Sequence, residues 1–202
     1  MAITLTWFGP LGPGNLPTDL DEIAGLDVAA VYLRVKVYQP CRVVAYVGQT
    51  TQLISRIDQH LTRLVGLTHL LRNDTGETIY DAAFDARLAA FNQLERISVA
   101  LISEVERMQF YYAPCNDTFL DGYLDLIERL LKARIEDRAV RIGFTCENRN
   151  AVPLRQLPED TDRVAVVNEI GDLGVADQEQ LRLLLGEDPI EIALPELENG
   201  AP

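Results

Sequence analysis

The chain has 202 residues, nearly half of them hydrophobic, and a formal net charge of −13. That length suits one domain with an extension, and no run approaches the roughly 18 apolar residues of a membrane span. The acidity is uneven, with 15 Lys/Arg and 19 Asp/Glu in residues 1–150 against 3 and 12 in residues 151–202, so the global charge argues against a sequence-independent coat on DNA, where phosphate attraction dominates, but leaves room for a local basic cleft.

The opening "MAITLTWFGPLGPGNLP" has neither a basic stretch nor a long apolar core, so no secretion signal is expected. Its Gly and Pro read as an irregular lead-in over residues 1–27, with a short helix over "PTDLDEIAGL" capped at Thr18 or Asp19. "DVAAVYLRVKVY" is dense in Val and Tyr and predicts a strand. "QPC" turns the chain into a second, antiparallel strand, "RVVAYVG". Thr50 or Thr51 then caps a helix in which Leu53, Ile57, Leu61 and Leu64 follow helical spacing.

Residues 66–85 read as an insertion with a turn at "NDTG". "ARLAAFNQLERISVALISEV" predicts a second helix, with "ISVALI" also compatible with a strand, and "ERMQFYYAPC" has strand composition. "NDTFLDGYLDLIERLLKARIED" is the clearest amphipathic helix, with Phe119, Tyr123, Leu126, Ile127, Leu130 and Leu131 on one face. Beyond it, "RAVRIGFTCENRN" is a short apolar piece running into a polar loop. Residues 129–149 are locally basic, carrying Arg129, Lys132, Arg134, Arg138, Arg141 and Arg149. From residue 151 the composition shifts to Pro, Asp, Glu and Leu. This acidic C-terminal extension, 151–202, offers a helix at "DQEQLRLLLG" and a frayed tail at "PELENGAP". Cys41, Cys115 and Cys146 form no CxxC pair, which argues against a disulfide framework or a cysteine zinc site and fits a reducing cytoplasm.

An apolar strand ending "AVY", a strand containing "YVG", and a helix carrying "SRIDQHL" together resemble the GIY-YIG nuclease superfamily. The resemblance covers residues 28–150, in the order strand, strand, helix, strand, helix, with Ala and Val where the first motif has Gly and Ile. The Arg-x-x-x-His pattern and the insertion resemble the restriction-endonuclease branch. The resemblance implies an α/β fold with a small mixed, mainly antiparallel sheet flanked by helices. It implies a metal-dependent DNA endonuclease of restriction or phage type with DNA as partner; the composition leads to no membrane partner being expected, and the oligomeric state stays open between monomer and homodimer. An inactive DNA-binding or assembly module of the same fold is the alternative.

The resemblance also implies roles. Tyr32 is the expected general base and Tyr46 a phosphate or scaffold contact beside the motif glycine, Gly48. Arg56 is the expected phosphate clamp. It shares a helix face with His60, four residues on. Glu128 in "YLDLIERLL" is the metal ligand for Mg²⁺ or Mn²⁺, with Asp125 as substitute, and Asn148 or Asn150 supplies the loop asparagine. The chemistry is coherent: a hard cation takes one or two carboxylates and keeps several waters, and a planar guanidinium matches a phosphate. A phenol, with an ordinary pKa of about 10, needs a nearby cation to act as a base near neutrality. Lys36, Arg56 and His60 are the candidates for that help.

Overall fold

The computed structural model of the protein describes residues 2–115, 124–148 and 163–193. In chain order the elements are β1 (Ala2–Leu11), α1 (Leu20–Leu26), β2 (Ala30–Tyr38), β3 (Arg42–Thr50), α2 (Leu53–Val65), β4 (Leu71–Arg72), β5 (Thr78–Tyr80), α3 (Phe84–Phe91) and α4 (Leu94–Glu106). They continue with β6 (Gln109–Pro114), α5 (Leu124–Ile142), β7 (Thr145–Cys146), β8 (Arg163–Ile170), α6 (Val175–Leu185) and β9 (Ile190–Ala193). The expected sequence of strand, strand, helix, strand, helix is present as β2, β3, α2, β6, α5, with β4 to α4 inserted before the third strand.

The protein is α/β, with a mostly antiparallel sheet and six helices among the described residues. The sheet is not small: seven strands run in the order β7-β3-β2-β6-β1-β8-β9. Only the β1–β8 and β3–β7 pairings are parallel, and β4 and β5 form a separate hairpin. The sheet is larger than expected because both flanks of residues 28–150 join it. The predicted irregular lead-in is strand β1, inside the sheet between β6 and β8. Ile3, Leu5 and Trp7 are buried while Ala2 and Thr4 are exposed, the alternation of a strand. The Gly-Pro steps that suggested a loop sit at its far end, where the register with β6 shifts between Phe8 and Leu11. On the other flank, β8 pairs with β1, and the leucine-rich helix α6 buries Leu181, Leu184 and Leu185. Phe119, Tyr123, Arg149, Asn150 and the tail "PELENGAP" lie outside the described residues.

The β2–β3 hairpin organises the rest. Its register places Tyr32 opposite Gly48 and Arg34 opposite Tyr46. Strand β2 is buried on both sides except at Val37, so its two faces feed two cores. Val31, Leu33 and Val35 pack with Leu124, Ile127, Leu131 and Ile135 of α5. Ala30 and Tyr32 face the other way, toward Leu53, Ile57 and Leu64 of α2. Helix α2 starts from Gln52 rather than from a threonine cap; Thr50 Oγ1 instead accepts from the Gln52 N–H in the preceding turn. Asp19 caps α1, accepting from the N–H groups of Asp21 and Glu22. "ISVALI", which fitted helix or strand, is helical within α4, and the single helix expected there is two, α3 and α4, separated at Asn92 and Gln93. Among the described residues no helix is long and apolar enough to cross a membrane.

Candidate active site

Because side chains alternate along a strand, Tyr32, Arg34 and Lys36 leave β2 on one face, the face covered by α2. All three are buried. Helix α2 presents Arg56 and His60 to them, one turn apart. The His60 Nε2 lies 2.8 Å from the Tyr32 hydroxyl, and Arg56 Nε donates to the same oxygen at 3.2 Å. The Arg34 guanidinium touches His60 Nδ1 at 3.0 Å, and Arg34 Cζ lies 4.8 Å from the centroid of the Tyr46 ring. The rings of Tyr32 and Tyr46 are 6.3 Å apart, centroid to centroid. Gly48 is required here, since a Cβ at that position would run into the Cζ and hydroxyl of Tyr32.

These groups border a cavity of about 400 Å³. Five cations line it: Arg34, Lys36, Arg56, Arg63 and Arg72. Glu147 is the one carboxylate among its described lining residues. Both Glu147 oxygens are engaged, with Arg34 at 2.5 Å and Arg72 at 3.1 Å. Burial pushes the Glu147 carboxyl up, but Arg34, Lys36 and Arg72 together hold it below the usual carboxylate value. His69, the only other histidine in the chain, stacks on His60 with a 19° interplanar angle. A strongly acidic protein thus concentrates positive charge at one cavity.

The titrating groups are set by burial first. His60 is driven down to about 2 by burial, reinforced by Arg34 and Arg56, so it is a neutral imidazole. Tyr32 is pushed up to about 12 by burial and by Tyr46, against the pull of Arg56 and Arg34.

No family model matches the chain, and no curated protein or solved structure matches it.

The geometry therefore stands by itself. It brings Tyr32, Tyr46, Gly48, Arg56 and His60 together, but not in the expected roles. Tyr32 is 0 % exposed and does not line the cavity, whereas Tyr46 does. Arg56 is partly spent, with Nε on Tyr32 and Nη1 on Gln59 at 2.9 Å. Lys36 does not serve Tyr32. Its ammonium is 2.5 Å from Glu104 of α4, a carboxylate that is itself fully buried. Asn148 is a structural bridge as well as a lining residue: its side chain accepts from the Val47 N–H at 2.7 Å and donates to the Val47 carbonyl at 2.8 Å, extending the β3 edge beyond β7.

Glu128 does not line the cavity. It belongs to α5, which packs on the opposite face of the sheet from α2, and its carboxylate pairs with Lys132 at 3.0 Å. Asp125, one turn earlier, accepts from Gln49 Nε2 at 2.6 Å. Among the described residues no three His, Cys, Asp or Glu side chains gather as a metal cluster. A hard cation of the Mg²⁺ kind takes one or two carboxylates, but Glu128 stands across the sheet from the cavity and both Glu147 oxygens are held by arginines, so the described residues at the cavity do not fit such an ion.

Arg34 and Glu147 are the site residues that the sequence reading missed. Arg34 had a legible signal, standing two positions after Tyr32 on a strand and so on the same face. Glu147 had only its place beside Asn148.

Proposed function

We propose that the protein is a GIY-YIG-type endonuclease that hydrolyses DNA phosphodiester bonds. One observation carries this reading: Tyr46, Arg56 and His60, with Tyr32 behind them, meet at a cavity where cations outnumber carboxylates five to one. A scissile phosphate there meets Arg56 through Nη2, which has no partner among the described residues. A general base must stand within hydrogen-bond reach of its water. Tyr32 is sealed off, and both His60 nitrogens are committed, so Tyr46 takes the base role and Tyr32 supports it from behind. Glu128, the ligand that the resemblance assigns, lies across the sheet from this cavity, so no step at the phosphate is routed through a cation there.

The test is plasmid DNA incubated with purified protein and Mg²⁺ or Mn²⁺. Cleavage is expected from the wild type; its loss in Glu128→Ala with DNA binding retained would restore Glu128 as the metal ligand that the resemblance implies, against its placement across the sheet. Arg56→Lys keeps the charge and loses the planar fork, so its cleavage falls far more than its binding. Parallel losses would make Arg56 a mere anchor. The placement of Glu128 outside the cavity lining favours a second reading, a DNA-binding module without catalysis. Wild-type protein that binds DNA and never cuts it would establish that alternative.

A further inference from the structure

Arg34, to which the nuclease reading gives no role, touches three residues of the site. One Nη bonds His60 Nδ1 at 3.0 Å, the other bonds Glu147 at 2.5 Å, and the guanidinium face lies on the Tyr46 ring. Arg72, on the β4–β5 hairpin, holds the second Glu147 oxygen, so Arg34 is braced from behind.

This arrangement decides a proton. Arginine has donors and no acceptor, so the His60 nitrogen facing it must be bare. A neutral imidazole bare at Nδ1 carries its proton on Nε2. That N–H points at the Tyr32 oxygen 2.8 Å away, where Arg56 Nε donates as well. With the opposite tautomer, two donors would face each other across 3.0 Å and the Tyr32 contact would lose its N–H.

We infer that Arg34 is the positioning residue of the site: it locks His60 as the Nε2–H tautomer, which holds the Tyr32 phenol from behind, and it seats the Tyr46 ring against the cavity. Lysine cannot replace it, since a single ammonium on a flexible stem cannot serve His60, Glu147 and the Tyr46 face at once. The catalytic consequence rests on the nuclease reading, but the tautomer does not.

The experiment separates the two. Nitrogen-15 NMR of the full-length protein, with His60 assigned by comparison with His60→Gln, reads the protonation of each ring nitrogen at neutral pH. The wild type is expected to show a protonated Nε2 and a bare Nδ1. Arg34→Met should produce a mixture of tautomers, and Arg34→Lys, which keeps the buried charge and protects folding, should blur the wild-type pattern. A wild-type His60 protonated at Nδ1 or at both nitrogens would overturn the inference. So would a tautomer unchanged in Arg34→Lys and, where it folds, in Arg34→Met. Where the wild type cleaves DNA, Arg34→Lys should lower kcat by about tenfold or more with KM changed less than about twofold. A loss confined to KM would make Arg34 a phosphate anchor instead. Absence of wild-type cleavage with the expected tautomer would sink the nuclease reading and leave the positioning role standing.

Discussion

The two faces of strand β2 are built on opposite principles. Toward α5 it presents Val31, Leu33 and Val35, in a core that is mostly aliphatic and also holds Trp7 and Tyr111. Toward α2 and α4 it presents Tyr32, Arg34 and Lys36, all equally buried. The first face gains free energy simply by leaving water. The second keeps its place only because each polar group has a partner, since a buried charge or donor left alone is costly. One face is held by burial and the other by paired polar groups, and the same nine-residue strand carries both.

The largest expected effect breaks the polar face at its most buried point. Lys36→Met leaves the buried Glu104 carboxylate with Arg107 as its nearest cation, 4.0 Å away. A loss of about 3–5 kcal/mol is expected. The double change Lys36→Met with Glu104→Leu should recover most of that loss, because a well-packed apolar pair often equals a buried ion pair. Denaturant unfolding of the single and double variants checks this; a double variant no more stable than Lys36→Met would contradict it.

On the apolar face the comparable change is Leu33→Ala, fully buried against α5. It should cost about 2–5 kcal/mol through lost transfer energy and a cavity. No partner substitution on α5 should rescue it in the way Glu104→Leu rescues Lys36→Met. Double-mutant unfolding curves with Ile127→Ala or Leu131→Ala distinguish the two kinds of core.

Gly48→Ala tests the seam between the hairpin and the cluster. The added methyl meets the Tyr32 ring, which His60 and Phe110 pack from the other side. Overpacking of this kind costs about 1–3 kcal/mol. Gly25→Ala is the control, since nothing lies within 4 Å of a Cβ there. It should be neutral or stabilising by about 0.4–1 kcal/mol, and equal effects at the two sites would remove the steric argument.

The last effect is on pH dependence. His60 titrates at about 2 when folded against 6.5 ordinarily. Below pH 6.5 the unfolded chain therefore binds a proton that the folded chain refuses. Stability is intact above that pH and falls with acidification, by about 1.4 kcal/mol per pH unit for one such group. His69 is also lowered, chiefly by burial, and adds a slope of the same sign. Glu147, held below its ordinary 4.5, joins only at lower pH. Unfolding free energies measured between pH 7 and 5 should therefore decline in the wild type and decline less in His60→Gln. An unchanged slope would mean that His60 is not held neutral.

Local pattern was enough to locate the parts of this site. The Val- and Tyr-rich runs, the turn after Tyr38 and the helical spacing from Leu53 place Tyr32, Tyr46, Gly48, Arg56 and His60 on two strands and one helix, because these signals depend on neighbours a few residues apart. The same kind of signal misled at β1, where glycines and prolines at the end of a strand hid its alternation, and sheet position then placed it inside the sheet. What tertiary structure alone decided is the pairing of charges and the exposure of the phenols. Arg34 meets Glu147 across 113 residues of sequence, and it does so because β7 lies parallel to the edge of β3 and carries the following glutamate to the α2 face. Lys36 is claimed by Glu104 because the inserted helix α4 folds over β2, and Tyr32 is sealed in while Tyr46 reaches the cavity because they stand on adjacent strands, the first covered by α2 and the second near the sheet's edge. Sequence periodicity determines which way a side chain leaves its own strand or helix, but the partner waiting there depends on the order in which distant strands are stacked.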